Sequence, residues 1–144
     1  MGCSTSNNEE HMANIDIDAL GVRNRMIVLS VDVISLPSTI LRGFLRALGA
    51  NVQEVEDGFE AITVCQSGVA FKAIFINMDF PYNEGAQTVK FLREMGIRSK
   101  LVGVTAHQND MIPEFMQAGL DYCMEMPVQI ETVSMVLREI EEDD

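Results

Sequence analysis

Residues 72–85 read KAIFINMDFPYNEG. The nearly continuous apolar run before Asn77 is typical of a parallel strand that is buried on both faces of its sheet. Asn77 ends this run, and a loop that contains Pro81 and Gly85 leads into a predicted helix. The stretch therefore predicts one strand–loop–helix unit of an α/β fold.

The same alternation of a short apolar run and a helical pattern extends to both sides of this unit. The other predicted strands are 26–31, 52–55, 101–104 and 122–125. The other predicted helices are centred on 40–48, 58–67, 112–116 and 130–140. Five βα units in succession predict a parallel sheet with helices on both faces.

The polarity of the strands predicts their order in the sheet. The first, third and fourth strands are continuously apolar, which favours the middle of the sheet, and the half-polar second and fifth favour its edges. This pattern fits the order 2-1-3-4-5 of the flavodoxin-like (βα)5 fold. In that fold the functional site lies outside the carboxyl ends of the strands, between the first and the third.

The residues at these strand ends carry a family resemblance. They are Asp32-Val33, Asn77, Thr105-Ala106 and Met126-Pro127. In this arrangement residues 26–140 resemble the receiver domain of response regulators. The segments VGVTA (102–106) and FMQAGLDYC (115–123) are most similar to the short plant receivers called type-C response regulators.

The resemblance implies a phosphoacceptor position at Asn77. Pro81 and Gly85 follow it at the family's offsets of four and eight residues. Asp32 and Val33 fall on the two acidic residues that hold a magnesium ion in active receivers.

Two further strand ends match positions that contact the phosphoryl group in the family. Thr105 keeps the hydroxyl group, and Met126 stands where a lysine precedes Pro127.

These substitutions predict that the phosphotransfer reaction is lost. The Asn77 amide is a poor nucleophile because its nitrogen lone pair is delocalised. Val33 offers no oxygen to magnesium, which prefers hard oxygen ligands. Met126 offers no cation to phosphoryl oxygens. We therefore expect a non-phosphorylatable pseudo-receiver that is not an enzyme and has no cofactor.

Several remnants of the site have two interpretations each. Asp32 and Asp79 are candidate ligands for weak magnesium binding, or solvated carboxylates. Thr105 is a phosphate-site remnant or caps the turn after its strand. His107 is interpreted as a solvated loop residue, and Cys123 as a core residue.

A protein-binding face is implied by the resemblance. In the family, the first helix and the loops beside the acceptor dock onto histidine-phosphotransfer proteins or histidine kinases. The corresponding residues here are Ile34, Leu36, Pro37, Ile40 and Met126. The leading hypothesis is a protein-interaction module of a phosphorelay.

Two other function classes are weighed against this module. A residual phosphatase or phosphate acceptor of the type-C kind needs Asp79 or Asp32 as nucleophile. A flavin or nucleotide binder needs a phosphate-cradling loop after the first strand. Residues 33–39 lack the glycines for such a loop, which disfavours that class.

Composition restricts the partners. The formal net charge of −12 argues against nucleic acid, because phosphate repulsion is not offset. The three cysteines have neither CxxC spacing nor a nearby histidine pair, so we predict no disulfide framework and no zinc site. A reducing compartment, cytoplasmic or nuclear, fits this usage. The oligomeric state is left open.

The polar N-terminus is predicted to be a flexible arm over residues 1–24, with the receiver-like domain over residues 25–144. Gly2 with Ser6 matches an N-myristoylation pattern, and Cys3 is a candidate palmitoylation site. Two acyl chains anchor a protein stably, so membrane attachment depends on these modifications. An unmodified N-terminus is the alternative.

Overall fold

The computed structural model describes residues 17–106 and 108–143. The strands are β1 (Ile27–Val31), β2 (Asn51–Val55), β3 (Ala73–Asn77), β4 (Lys100–Thr105) and β5 (Tyr122–Glu125). The main helices are α1 (Leu36–Ala47), α2 (Gly58–Gln66), α3 (Glu84–Glu94), α4 (Ile112–Ala118) and α5 (Ile130–Glu142). A helical turn, Ile17–Leu20, precedes β1, and a 3-10 turn, Pro81–Asn83, precedes α3.

The five strands form one parallel sheet in the order β2-β1-β3-β4-β5, which confirms the predicted order. β1 lies between β2 and β3, and β4 joins β3 to β5. The first four residues of β3 are buried, whereas β2 buries only Val55. The apolar strands therefore occupy the middle of the sheet and the half-polar strands its edges.

Two hydrophobic cores lie on opposite faces of the sheet. α1 and α5 pack on one face, where Leu45 and Leu137 are fully buried. α2, α3 and α4 pack on the other, where Val89 and Leu92 are fully buried. Alternate residues of the central strands contribute to the two cores, as the pleat of a strand requires. The predicted flavodoxin-like (βα)5 fold is confirmed.

The start of α1 holds the loop that follows β1. Ser35 caps the helix, and its side chain and that of Ser38 accept each other's backbone N–H in a capping box. The Ser38 hydroxyl also donates to the backbone oxygen of Val33 at 2.7 Å. The loop between Asp32 and α1 is thereby tied to the first turn of the helix.

Gly85 lies in the first turn of α3, although the sequence predicted it in a loop. An added Cβ would lie 2.6 Å from the backbone oxygen of Asn77 and 2.9 Å from the Met78 Cα. Backbone atoms cannot move away as a flexible side chain can. The close approach of α3 to the end of β3 therefore requires a glycine.

The predicted boundary of the N-terminal arm at residue 24 differs from the structure. The Ser134 hydroxyl donates to the backbone oxygen of Leu20 at 2.5 Å, and the Val22 N–H donates to that of Leu48 at 2.9 Å. Leu20 and Val22 also pack against the core beneath α1 and α5. The segment around residues 20–22 is therefore part of the packed domain.

The proposed modification sites Gly2 and Cys3 lie outside the described residues. In the part of the chain that the structure describes, the helices are too short or too polar to cross a membrane.

A buried arginine connects α1 to the ends of β1 and β2. Arg42 is 4 % exposed and donates to Ser30 Oγ at 2.8 Å and to the backbone oxygen of Asp32 at 2.8 Å. Its guanidinium also pairs with Glu54 at 3.0 Å, and the more exposed Arg46 pairs with the same carboxylate at 2.6 Å. Arg42 thus fixes the backbone on which Asp32 stands.

The two arginines hold the pKa of Glu54 below its usual range, chiefly through the hydrogen bond from Arg46. Because the folded-state pKa is lowered, the pairing stabilises the protein above the ordinary carboxyl range. This stability is lost as the pH falls through the folded-state value.

We expect Arg42→Met to lower the free energy of unfolding by about 3–5 kcal/mol, because it leaves the buried oxygens of Ser30 and Asp32 without their donor, at a cost of about 1–3 kcal/mol for each unsatisfied group. Arg46→Met is the matched control: it removes the exposed bond to the same carboxylate and should cost less than about 1 kcal/mol. Urea denaturation at neutral pH measures both values. Equal losses for the two variants would contradict this assignment.

Candidate functional site

A cleft of about 270 Å³ opens at the carboxyl ends of the central strands. Its lining residues are Asp32, Val33, Ser35, Pro37, Ser38, Leu41, Asn77, Asp79, Val104, Ala106 and Met126. The parallel sheet thus brings together most of the site residues predicted from the sequence. Thr105 lies behind the surface of the cleft and is 1 % exposed.

The Asn77 amide is held by two hydrogen bonds. Its Nδ2 donates to Asp32 Oδ1 at 2.9 Å, and its Oδ1 accepts from the Asp79 N–H at 2.8 Å. Only this orientation of the amide satisfies both neighbours, because a carboxylate is an acceptor and an N–H a donor. Asp32 Oδ1 also accepts from the Val33 N–H at 2.8 Å. The acceptor position thus carries a neutral donor aimed at a carboxylate.

The Asp79 carboxylate bonds the end of β4. It accepts from the Thr105 hydroxyl at 2.5 Å, from the Ala106 N–H at 2.7 Å and from Asn109 Nδ2 at 3.3 Å. The sequence analysis did not predict these contacts. Asp79 and Thr105 are 26 residues apart, and only the pairing of β3 with β4 brings them together.

Thr105 and Asn109 continue this network towards α4. Asn109 Nδ2 donates to Thr105 Oγ1 at 2.7 Å, and its Oδ1 accepts from the Met111 N–H at 2.8 Å. The Thr105 hydroxyl therefore bonds the side chains of Asp79 and Asn109, and the capping interpretation stays a prediction. Asn109 was not predicted, because its polar type in a loop carried no distinguishing signal. His107 lies outside the described residues.

Met126 stands at the position of the expected lysine, carries no charge and makes apolar contacts. Met126 is half-buried and packs against the core beneath α1 and α5, and its N–H donates to the backbone oxygen of Thr105 at 2.8 Å. The lining of the cleft, within the described residues, includes no lysine or arginine. Val33 is 47 % exposed at the rim and offers no oxygen from its side chain. Among the described residues, the lining of the cleft therefore offers its carboxylates neutral hydrogen-bond donors and no formal positive charge.

The donor set of the cleft fits a magnesium ion poorly. Asp32 Oδ1 already accepts two hydrogen bonds, and both oxygens of Asp79 accept from Thr105, Ala106 or Asn109. Within residues 17–106 and 108–143, no three His, Cys, Asp or Glu side chains group as a metal site. Weak binding at Asp32 and Asp79 stays a prediction.

Cys123 was predicted to be a core residue. It is half-buried and packs against the core beneath α2, α3 and α4. Burial raises the pKa of its thiol to about 11, and the charges of Glu125 and Asp79 act in the same direction. Burial also raises the pKa of the Cys65 thiol. Because the thiolate is the reactive form, both raised pKa values lower the reactive fraction of these thiols near neutral pH.

The predicted protein-binding residues lie beside the cleft. Ile34 is 80 % exposed and Leu36 is 73 % exposed, and Pro37 and Ile40 are exposed on the same segment. We call Ile34, Leu36, Pro37 and Ile40 the α1 rim. Met126 is less accessible than these residues and forms part of the cleft wall.

Comparisons with known proteins agree with this fold and site. A model of the response regulator receiver domain matches residues 28–138. Two-component response regulator 24 of Arabidopsis thaliana is 37% identical over 118 residues, which cover 81% of this chain and 85% of that protein. Two-component response regulator ARR22 of the same species is 34% identical over 114 residues, which cover 76% of this chain and 80% of that protein.

A solved structure shows the same fold. The response regulator receiver domain (CheY-like) from Methylobacillus flagellatus superposes with a TM-score of 0.71 at 25% identity, over 81% of this chain and 99% of that one.

The family match runs from β1 into α5, so it includes every strand end that borders the cleft. The resemblance to short plant receivers is confirmed by the two Arabidopsis relatives. The chain belongs to the response regulator receiver domain family of two-component signalling.

Proposed function

We propose that this receiver domain is a non-phosphorylatable pseudo-receiver that binds histidine-phosphotransfer proteins or histidine kinases without accepting phosphate. The observation that carries the proposal is the hydrogen bond from Asn77 Nδ2 to Asp32 Oδ1 at 2.9 Å. An aspartate at position 77 would face Asp32 as a second carboxylate. Two carboxylates at this distance repel each other, and a cation or a shared proton is needed to hold them.

An amide at position 77 needs neither a cation nor a shared proton beside Asp32, and it also lacks the nucleophilic carboxylate. Asn77 donates where a metal ion would otherwise balance the charge of Asp32, and its amide nitrogen is a poor nucleophile. The side chain of Met126 supplies no cation to a phosphoryl group, which carries negative charge on its oxygens. Nucleophile, metal seat and counter-charge have thus changed together in one cleft.

The α1 rim supports the binding half of the proposal. Its large apolar side chains are exposed beside the cleft, at the positions that dock in the family. A few well-packed side chains near the centre of an interface carry most of the binding energy in protein complexes. A partner that contacts the α1 rim can bind without phosphate transfer. The domain then competes with active receivers for that partner.

The alternative is residual phosphate acceptance or phosphatase activity through Asp79 or Asp32. The similarity to two plant response regulators is the reason to test this alternative. Its difficulty is that the oxygens of Asp79 already accept hydrogen bonds from Thr105 and Ala106. A carboxylate engaged in this way is less available for attack.

The phosphotransfer test compares the natural chain with a Val33→Asp, Asn77→Asp, Met126→Lys triple variant. Each protein is incubated with a phosphorylated plant histidine-phosphotransfer protein and magnesium, and the transfer of label is followed over time. We expect labelling of the triple variant and none of the natural chain. Labelling of the natural chain that disappears in Asp79→Ala would establish the alternative instead.

Asn77→Asp alone should lower the free energy of unfolding by about 1–3 kcal/mol in metal-free buffer, because a hydrogen bond to a charged group becomes a repulsion. Millimolar magnesium should restore part of the loss. Lowering the pH towards about 4 should do the same, because one carboxyl then takes a proton. Asn51→Asp, an exposed position at the start of β2, is the control. Thermal melts measure both, and a loss that ignores magnesium and pH would contradict the charge argument.

A combined Ile34→Ser, Leu36→Ser variant should bind a plant histidine-phosphotransfer protein at least about tenfold more weakly than the natural chain, because both anchors of the α1 rim are removed. Phe59→Ser is the matched control, since Phe59 is 78 % exposed and lies in the first turn of α2, which packs on the opposite face of the sheet from α1. Isothermal titration calorimetry measures the dissociation constants. Equal weakening by Phe59→Ser would show that the rim is not the binding surface.

A further inference from the structure

The loop end of β4 forms a seat for an anion. We define the oxyanion seat as the Thr105 hydroxyl, the Ala106 N–H and the Asn109 amide. All three donate to one group, at 2.5, 2.7 and 3.3 Å. Thr105 is 1 % exposed, so its hydroxyl is a buried donor that needs an acceptor from the protein or from a ligand.

The acceptor in this seat comes from the chain itself. Asp79 stands on the loop after β3 and places Oδ1 on Thr105 and Oδ2 on Ala106. Hydrogen bonds to a carboxylate are shorter and about twice as strong as neutral ones. A hydroxyl and a backbone N–H that bond two oxygens of one anion would also suit two oxygens of a phosphoryl group, so the carboxylate occupies the place of such a ligand.

We propose that Asp79 is a built-in ligand of the oxyanion seat, which holds Ala106 and Asn109 in one arrangement and makes the docking surface independent of phosphate. The docking half of this inference rests on the proposed function. The internal occupation of the seat does not, because it follows from the contacts of Asp79 alone.

The network beyond the seat connects the carboxylate to residues on several elements. Asn109 bonds the carboxylate, the Thr105 hydroxyl and the Met111 N–H at the start of α4. The backbone oxygen of Thr105 accepts from the N–H of Met126, just after the neighbouring strand β5. The ends of β3, β4 and β5 and the start of α4 are therefore joined through residues that contact the seat.

The occupied seat also excludes an external anion. A phosphate or sulfate ion would have to displace Asp79 and would then lie beside its negative charge and that of Asp32. Within the lining of the cleft, the described residues include no basic side chain that would offset this repulsion.

Amide hydrogen exchange measured by NMR tests the occupation of the seat. In Asp79→Ala we expect the Ala106 amide to exchange at least about tenfold faster than in the natural chain, because its acceptor is removed. Asp79→Asn keeps a neutral acceptor and should give an intermediate rate, which tests the idea even if the alanine variant folds poorly. Glu114→Ala removes one exposed negative charge from α4 and should leave the rate unchanged. Equal Ala106 exchange rates in the natural chain and both Asp79 variants would overturn the proposal.

Calorimetric binding to a plant histidine-phosphotransfer protein tests the docking half on the same variants. We expect Asp79→Ala to bind at least about threefold more weakly, while Glu114→Ala binds as the natural chain does. If Asp79→Ala binds the partner as tightly as the natural chain does, while its Ala106 amide exchanges faster, then the role of the seat in docking is overturned. The occupation of the seat by Asp79 in the natural chain would still stand. No binding by the natural chain would overturn the proposed function and the docking half, whereas the exchange result would still decide the occupation of the seat.

Discussion

β1 and β3 pair in parallel, and this pairing brings together two side chains that lie 45 residues apart in the sequence. Val31 is opposite Ile76 in the register, so the next residues, Asp32 just after β1 and Asn77 at the end of β3, lie side by side. Both strands are buried between two hydrophobic cores, so a slip of register would disrupt close packing on both faces. The contact between Asp32 and Asn77, and with it the whole cleft, depends on this pairing.

The chemistry of the cleft follows from how its charges are balanced. An active receiver combines acidic residues with a metal ion and a lysine, as the family resemblance implies. Here an amide at position 77 bonds Asp32, and hydroxyl, amide and backbone donors bond Asp79. Within the described residues of the cleft, hydrogen-bond donors of the chain thus contact these carboxylates.

The support beneath the cleft is of a different kind. Arg42 is buried and bonds the backbone oxygens of Ser30 and Asp32 while it pairs with Glu54. A charge that lies under the site, instead of in it, stabilises the backbone and offers nothing to a ligand. The positive charge of Arg42 is therefore used to hold the backbone beneath Asp32.

Prediction from the sequence succeeded where local pattern and topology coincide. Apolar runs identified β1, β3 and β4 as central strands, and the topology predicted that Asp32, Asn77 and Met126 meet at one edge of the sheet. Prediction failed at Gly85, which belongs to α3, because the close approach of this helix to β3 is a tertiary contact. Arg42 and Asn109 were missed because a polar residue on a helix or in a loop has no pattern that separates a buried from an exposed side chain.

Residue type and periodicity were enough to predict the fold class, the order of the strands and the edge of the sheet at which the cleft lies, and the family resemblance implied the role of Asn77. The partner of each polar group followed from the packing of the folded chain. Asp79 bonds Thr105 and Asn77 bonds Asp32 because parallel strands place their carboxyl ends at one edge of the sheet. Hydrogen bonds need a distance of about 3 Å and a direction, and these depend on the packing of segments that are far apart in the chain.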